Sequence, residues 1–296
     1  MTLSKKEIIS EVVVCGKDPA YFSNTYARIS HPLRGLIPFE LYDFQEKALR
    51  EFNRHRFTVI LKARQLGIST TVASYVCWLM LFHRDKNVLI VATKLQTATN
   101  LVKKIKSIHK NLPAWLKIAK ISVDNRTSFE LSNGSQVKAS STSTDAGRSE
   151  ALSLLVVDEA AFVEGMDELW AGLYPTLSTG GRCIALSTPN GVGNWFHKTY
   201  IESVEKKNNF NQMVLPWDMH PERDQAWFNK ETRNMSRREI AQELECNFNA
   251  SGETVVHGDD IDRMLEGTSE PKHKTGFDRN YWIWEEPSKG TDYILV

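Results

Sequence analysis

An apolar run, a short polar loop and a second apolar run together constrain this chain more than any other feature of its sequence. The first run is Phe57–Leu61, and the second extends from Thr71 to Phe82, as is typical of a buried strand followed by a buried helix. The loop at 62–70 has the sequence Lys-Ala-Arg-Gln-Leu-Gly-Ile-Ser-Thr. A late glycine and a hydroxyl pair at the start of a helix predict a loop whose backbone N–H groups surround a phosphate.

The loop lacks the lysine that usually stands directly before its first hydroxyl residue, because position 68 is isoleucine. Since the loop doubles back on itself, Lys62 could place its ammonium group where a lysine at position 68 would have reached. Alternatively, Lys62 merely caps a strand and the loop is an ordinary turn. Ser69 is placed to hold a magnesium ion through its hydroxyl, and Arg64 is either a second phosphate contact or a surface charge. The candidate nucleotide-binding residues of the loop are Lys62, Arg64, Gln65, Leu66, Gly67, Ile68, Ser69 and Thr70.

Two carboxylates directly follow another apolar run, Leu154–Val157. Asp158 and Glu159 would therefore lie at the C-terminal end of a buried strand, which is the edge of an α/β sheet where ligands bind. There Asp158 would support the magnesium ion, directly or through water, and Glu159 would polarise the attacking water. Acidic residues that end a strand are common in ordinary loops, but their combination with an upstream phosphate loop indicates nucleotide hydrolysis.

Continuous apolar runs, rather than alternating ones, predict strands that are covered on both faces. Such strands belong to a mainly parallel sheet flanked by helices, and the chain is expected to be an α/β protein of the P-loop NTPase class. A separate hairpin is predicted at Asn133-Gly134, between 128–132 and 136–140. The predicted strands are 57–62, 87–93, 152–157, 182–187 and 210–215, and the predicted helices are 69–82, 95–111, 166–177 and 194–207.

Three further features fit a motor better than a simple binding protein, although each also has an ordinary explanation. Gln45, on an amphipathic helix before the first core strand, could recognise the adenine edge or could be a solvated helix residue. Ser187, Thr188 and Pro189 end a further apolar strand and could sense the γ-phosphate or form a simple turn. Arg148 lies on a loop just before the Asp-Glu strand and could act as an arginine finger in a neighbouring subunit.

Composition limits the function classes only loosely. The 296 residues are 41% hydrophobic and 25% charged, with a net charge of +1, so no global basic field favours nucleic acid. The four cysteines show no CxxC pairing, and neither an apolar signal segment nor a run long enough to cross a bilayer is found, which predicts an intracellular protein without a membrane partner. A basic helical face that could touch DNA, or simply be solvated, is formed by Lys103, Lys104, Lys106 and Lys110.

The domain organisation is predicted from changes in character along the chain. Residues 36–215 would form the ATPase core, and 1–35 with 216–266 would form a small helical lid or linker subdomain, in which Ser236–Glu239 is a capping box. Residues 267–296 are expected to be a linker followed by the beginning of a further domain.

Four stretches together resemble the ATPase domain of a large terminase, the DNA-packaging motor of tailed bacteriophages. The stretches are Tyr42–Gln45, Lys62–Ser69, Leu154–Phe162 and Ser187–Gly191. The resemblance implies a RecA-like fold of the additional-strand, catalytic-glutamate type. It also implies that a lysine displaced to the start of the loop, Lys62, is tolerated and that Glu159 is the catalytic carboxylate. It assigns coupling of hydrolysis to movement to 187–189, and it leaves Arg148 in trans and Arg64 in cis as competing arginines.

Cofactors and partners follow from the same resemblance. It implies ATP and Mg²⁺ as ligands, and double-stranded DNA, the portal protein of the procapsid and the small terminase subunit as partners in the host cytoplasm. A homo-oligomeric ring, expected to be a pentamer, would form on the portal, whereas the isolated domain would be monomeric. In the family a nuclease domain follows, and Tyr293–Val296 resembles the beginning of its first strand, so we expect ATPase but no endonuclease activity from this chain.

Two alternatives remain open at the level of sequence. A DEAD-like helicase shares the glutamine and the Asp-Glu strand, but it requires a second RecA-like domain and keeps its lysine directly before Ser or Thr. A non-catalytic nucleotide-binding assembly module is favoured by Ile68 and opposed by Glu159.

Overall fold

An eight-stranded sheet organises the protein in a computed structural model, which describes residues 3–140, 151–252, 260, 263–264, 266–276, 281–286 and 288–290. The strands are β1 (Arg28–His31), β2 (Gly35–Pro38), β3 (Phe57–Lys62), β4 (Asn87–Ala92), β5 (Ile121–Asp124), β6 (Ser128–Leu131), β7 (Gln136–Ser140), β8 (Leu154–Asp158), β9 (Arg182–Ser187), β10 (Phe210–Leu215), β11 (His273–Thr275) and β12 (Tyr281–Ile283). The helices are α1 (Lys5–Lys17), α2 (Pro19–Tyr26), α3 (Asp43–Arg54), α4 (Ile68–Phe82), α5 (Leu95–Asn111), α6 (Met166–Leu173), α7 (Trp195–Val204), α8 (Gln225–Glu231), α9 (Arg237–Ile240) and α10 (Phe248–Ser251).

The large sheet has the strand order β10-β3-β9-β8-β4-β7-β6-β5. The six strands from β10 to β7 are parallel, and β6 and β5 add antiparallel to that edge through the predicted turn at Asn133-Gly134. Asp158 is level with Ala92 on one side and Leu186 on the other, while Lys62 is level with Leu215. The carboxyl ends of β3, β4, β8 and β9 therefore meet at one edge, and the predicted α/β fold class is confirmed.

Alternate residues of the central strands enter two separate cores. Ile60 and Val156 pack on the face covered by α4 and α5, whereas Val59 and Val157 pack on the face covered by α6 and α7. Because both faces of the central strands are covered by apolar cores, their sequences are mostly continuous apolar runs and do not alternate between apolar and polar residues.

The N-terminal helices share the first of these cores. The indole Nε1 of Trp78, on α4, donates to the carbonyl oxygen of Cys15 at 2.8 Å, and the ring of Phe22 meets that of Phe82 edge-on at 5.6 Å. Residues 1–252 form one compact unit and 253–296 a second. These limits differ from the boundaries predicted at 215 and 266, and the separate lid subdomain stays a prediction.

The helix ends and the capping box of the structure agree only in part with those predicted from the sequence. The helix expected at 166–177 ends at Leu173 and continues as a 3₁₀ turn, Tyr174–Leu177, which contains Pro175 and so cannot continue the hydrogen-bonding of the helix. The capping box at Ser236 is confirmed, since its hydroxyl accepts from the N–H of Glu239. The helical segment expected within 216–266 is divided into short pieces, including a π-helical turn at Ala241–Glu245.

The second unit contains a two-stranded antiparallel pair, β11 with β12, in which the ammonium of Lys274 lies 4.2 Å from the ring centre of Trp282. The strand expected at 292–296 lies outside the described residues. Among the helices that the structure describes, none combines the length and apolar character needed to cross a membrane.

Candidate nucleotide-binding site

The loop between β3 and α4 has the backbone geometry of an anion cradle. Gly67 is the N-cap of α4 with φ +74°, and Gln65 also has a positive φ of 58°. The positive φ of Gly67 favours glycine, and a Cβ there would lie 2.7 Å from Nε2 of Gln45, so any side chain would displace that amide. The first turn of a helix leaves N–H groups without intrahelical partners. In α4 the N–H of Thr70 donates to the Gly67 carbonyl at 2.9 Å, so the N–H groups of Ile68 and Ser69 are the ones that this turn can present to an anion.

The side chains of Leu66 and Ile68 face away from this cradle, since they are 2% and 1% exposed within the apolar core. Only the backbone of these two residues is therefore available to a ligand. The isoleucine that replaces the usual lysine is explained by packing, because position 68 points into the core beside α4.

Lys62 lies at the end of β3, at the sheet edge where the two acids stand. Burial lowers the pKa of Lys62, and the negative charges of Asp158 and Glu159 oppose this effect. Lys62, Glu159 and Thr188 line a cavity of about 560 Å³ together with Arg64. The structure thus brings together a lysine and two carboxylates that lie about a hundred residues apart in the sequence.

Ser69 and Asp158 form the oxygen-rich end of this site. The Ser69 hydroxyl donates to Oδ2 of Asp158 at 3.3 Å, and Asp158 is 7% exposed. Burial raises the pKa of Asp158, while the nearby Lys62 charge acts in the opposite direction. A hydroxyl and a carboxylate are ligands suited to Mg²⁺, so the residues present fit this ion.

Glu159 has a strained backbone, and its side chain accepts a hydrogen bond from a neighbouring strand end. Its φ of 54° places a non-glycine residue in the left-handed region, as occurs at functional sites that the surrounding structure stabilises. The hydroxyl of Thr93, directly after β4, donates to Oε2 of Glu159 at 3.1 Å. The sequence prediction missed Thr93, although the parallel pairing of β4 with β8 places it beside the acids.

Arg64 is held by the segment that follows β10. Its guanidinium Nε lies 2.5 Å from Oε2 of Glu243, and its backbone N–H donates to the Glu243 carbonyl at 2.8 Å. Arg223 donates to the carbonyl oxygens of Arg64 and Gln65 at 3.1 and 3.0 Å. Residues from 216–252 therefore hold the loop from outside, and neither Arg223 nor Glu243 was predicted from the sequence.

Gln45 lines a second cavity of about 690 Å³ on the other side of the loop. The side chain is buried, donates from Nε2 to the Leu66 carbonyl at 3.0 Å, and accepts through Oε1 from the N–H of Tyr42 at 3.1 Å. The amide retains one hydrogen and one lone pair for a ligand. Tyr42 and His220 also line this cavity, with their ring centres 4.6 Å apart.

A sequence profile described as the terminase large subunit, T4likevirus-type, N-terminal, matches residues 59–263. The chain belongs to the large terminase subunit family. It resembles a mutant of the Thermus phage P74-26 large terminase ATPase domain, with 19% identity, a TM-score of 0.58 and coverage of 71% of this chain and 95% of that one.

Two longer large terminases share the fold, and in both a smaller part of the other chain is covered. One, from a thermophilic bacteriophage and in complex with ADP, is 14% identical with a TM-score of 0.58, covering 70% of this chain and 53% of that one. The bacteriophage HK97 protein is 14% identical with a TM-score of 0.56, covering 85% and 51%. This chain therefore spans about half the length of those two terminases.

In this large terminase chain, the segment after β9 connects the sheet edge that carries the candidate site to the helices that follow. The predicted coupling residues are Ser187, Thr188 and Pro189. The N–H of Ala161 donates to the Ser187 hydroxyl at 3.2 Å, and Asn190 donates to the Ala161 carbonyl at 3.2 Å. The N–H of Gly191 then donates to the hydroxyl of Ser251 at 3.0 Å. Arg148 lies outside the described residues.

Proposed function

We propose that this chain is the ATPase motor region of a phage large terminase and that it hydrolyses ATP at the edge formed by β3, β4, β8 and β9. One observation carries the proposal: Lys62, Asp158 and Glu159 meet beside a helix N-terminus that is preceded by a glycine-capped loop. A cation, two carboxylates and free N–H groups are the components needed to bind a polyphosphate and activate water.

Each residue then has a distinct role. The Glu159 carboxylate orients a water molecule and takes up its proton as the water oxygen bonds to the γ-phosphorus and the bond to the β–γ bridging oxygen breaks, which yields ADP and phosphate. Lys62 binds the outer phosphate oxygens, and Ser69 and Asp158 hold Mg²⁺. When bound, Mg²⁺ neutralises charge on the phosphates. The backbone of 65–70 cradles the phosphate chain.

The nucleoside would occupy the cavity lined by Gln45, Tyr42 and His220. The remaining hydrogen and lone pair of the Gln45 amide match the donor and acceptor of the adenine edge. ADP in the large terminase of the thermophilic bacteriophage, which shares this fold, supports nucleotide binding here.

Hydrolysis would drive double-stranded DNA into a procapsid through a ring, proposed to be a pentamer, assembled on the portal with the small terminase subunit. The hydrogen bonds from Ala161 through Ser187 and Asn190 to the α10 region offer a route by which loss of phosphate displaces the helical segment. Arg148 would complete a neighbouring site in trans, in competition with Arg64 in cis.

Glu159→Gln tests the proposal. The variant is expected to bind a non-hydrolysable ATP analogue as the wild type does and to lose turnover by about a hundredfold or more, because it keeps the side-chain shape and loses the base. Turnover at the wild-type rate would remove Glu159 from this role, and a wild-type protein that binds no ATP would overturn the proposed function.

Mixing of variant subunits tests whether Arg148 acts in trans, as opposed to Arg64 in cis. Arg148→Ala subunits mixed with Glu159→Gln subunits should recover part of the activity if Arg148 acts across an interface, because each mixed pair contains one intact site. With assembly verified, no recovery would contradict the role in trans.

A further inference from the structure

Lys104 contacts the phosphate loop from a different element. It lies on α5, which packs against α4, and its Nζ donates to Oγ1 of Thr70 at 3.1 Å. Thr70 is in the first turn of α4, directly after Ser69. The four lysines of the basic helical face predicted from the sequence therefore do not share one environment, because one of them, Lys104, is directed at the candidate nucleotide site.

A second lysine of that face has a different partner. Lys106 pairs with Asp124 at 2.7 Å and donates to the carbonyl of Asn125. Lys103 and Lys110 are exposed. Lys103 is adjacent to Lys104 on the same helix and carries the same charge, and it therefore offers a matched control.

The direction of the hydrogen bond at Thr70 determines what its hydroxyl can do. An ammonium group can only donate, so Oγ1 of Thr70 accepts from Lys104 and its own proton is directed elsewhere. A hydroxyl proton at a helix N-terminus, beside a fixed positive charge, is suited to donate to an anionic oxygen. Lys104 and Thr70 together thus form a donor pair next to Ser69 at the start of α4.

The charges around Lys104 belong to the same site. Partial desolvation lowers the pKa of Lys104, the charge of Lys62 adds to this effect, and the charge of Asp158 opposes it. Although the Lys104 side chain is exposed as a whole, its ammonium group is thus in the electrostatic field of Lys62 and Asp158.

We propose that Lys104 is a second cation of the phosphate site and binds a phosphate oxygen of the nucleotide together with the Thr70 hydroxyl. This inference rests on the proposed function, because it requires a nucleotide in the cradle of α4. Lys104 supplies charge from α5, whereas the guanidinium of Arg64 is engaged with Glu243. The displaced lysine at position 62 would therefore share its role with a residue outside the loop.

Binding of ADP and of a non-hydrolysable ATP analogue, measured by calorimetry with Mg²⁺, tests the proposal. Lys104→Met should weaken both by about tenfold or more, equivalent to about 1.4 kcal/mol, whereas Lys103→Met should change them less than about twofold. Lys104→Arg should restore most of the affinity, since it retains the charge. The melting temperature of the nucleotide-free variants provides the check that each is folded.

The Thr70→Val background distinguishes direct binding of phosphate by Lys104 from a role in which Lys104 only positions Thr70. If Lys104 binds phosphate itself, Lys104→Met should weaken binding further in the Thr70→Val background; no further loss would overturn direct contact. Wild-type affinity of folded Lys104→Met would also overturn the proposal, and a selective loss of duplex DNA binding would assign the lysine to DNA instead. If the wild type and Lys103→Met bind no nucleotide, the proposed function itself fails.

Discussion

The hydroxyl of Ser69 donates to Oδ2 of Asp158 at 3.3 Å, so the start of α4 and the end of β8 meet although they are 89 positions apart in the chain. The two oxygens stand at the sheet edge where the strands carrying Lys62 and Glu159 also end. This contact links the loop at 62–70 to the acidic strand, and its two oxygens are the ones that we propose as ligands of Mg²⁺.

Ser69→Ala should weaken the dependence of nucleotide affinity on Mg²⁺ and lower turnover by about tenfold or more, because one oxygen ligand is lost while Asp158 remains. Binding in the presence of a chelator should be close to that of the wild type. The measurement is a magnesium titration of both turnover and affinity. An unchanged titration curve would place the ion elsewhere.

Lys62→Met and Arg64→Met should differ in their effects. Lys62 stands beside both carboxylates, whereas the Arg64 guanidinium is paired with Glu243, so Lys62→Met is expected to cause the larger loss. We expect a decrease in kcat/KM of at least about tenfold for Lys62→Met, or roughly 1.4 kcal/mol, and a smaller decrease for Arg64→Met. The opposite order in steady-state kinetics would assign the main phosphate contact to Arg64.

Thr93→Val should lower kcat and leave nucleotide affinity unchanged, because the Thr93 hydroxyl contacts Glu159. A hydrogen bond to a charged group contributes about 1.5–3 kcal/mol, so the decrease should be about tenfold or more. Thr127→Val, at the turn between β5 and β6, is the matched control. Equal turnover of the two variants would contradict a role for Thr93 in orienting the carboxylate.

The fold was predictable because its strongest signals are local. Strands buried on both faces require continuous apolar runs, and the observed bounds of β3, β9 and β10 equal the predicted ones. Helix ends were less predictable: α7 ends at Val204 rather than 207, since its end depends on packing rather than on a strong stop signal. The family assignment rested on motifs spread over the same strands and was confirmed.

The site was predictable only in part. Lys62, Ser69, Asp158 and Glu159 follow apolar strands or begin a helix, and parallel topology brings such positions together. The contacts of Thr93, Lys104, Glu243 and Arg223 depend on which strands pair and which segments pack together, and a single sequence carries little signal for such long-range pairing. Their discovery therefore required the three-dimensional structure.

Stability should fall on the acid side because of His109, which is buried beside Phe129. Burial lowers the pKa of His109 below 6.5, the charge of Lys117 adds to the effect, and the Ala119 backbone opposes it. A lowered pKa means that the unfolded chain binds this proton first as the pH falls through about 6.5. The contribution of neutral His109 to the free energy of unfolding is therefore fully present above that pH. It is lost as the pH falls towards the pKa of His109 in the folded protein.

His109→Leu should reduce this loss, because leucine binds no proton in either state. The free energy of unfolding in urea, measured at about pH 8 and about pH 5.5, should fall less in the variant than in the wild type. His83, His197 and His220 also have lowered pKa values, but they are present in both proteins, so the difference isolates His109. Equal decreases in the two proteins would contradict the assignment.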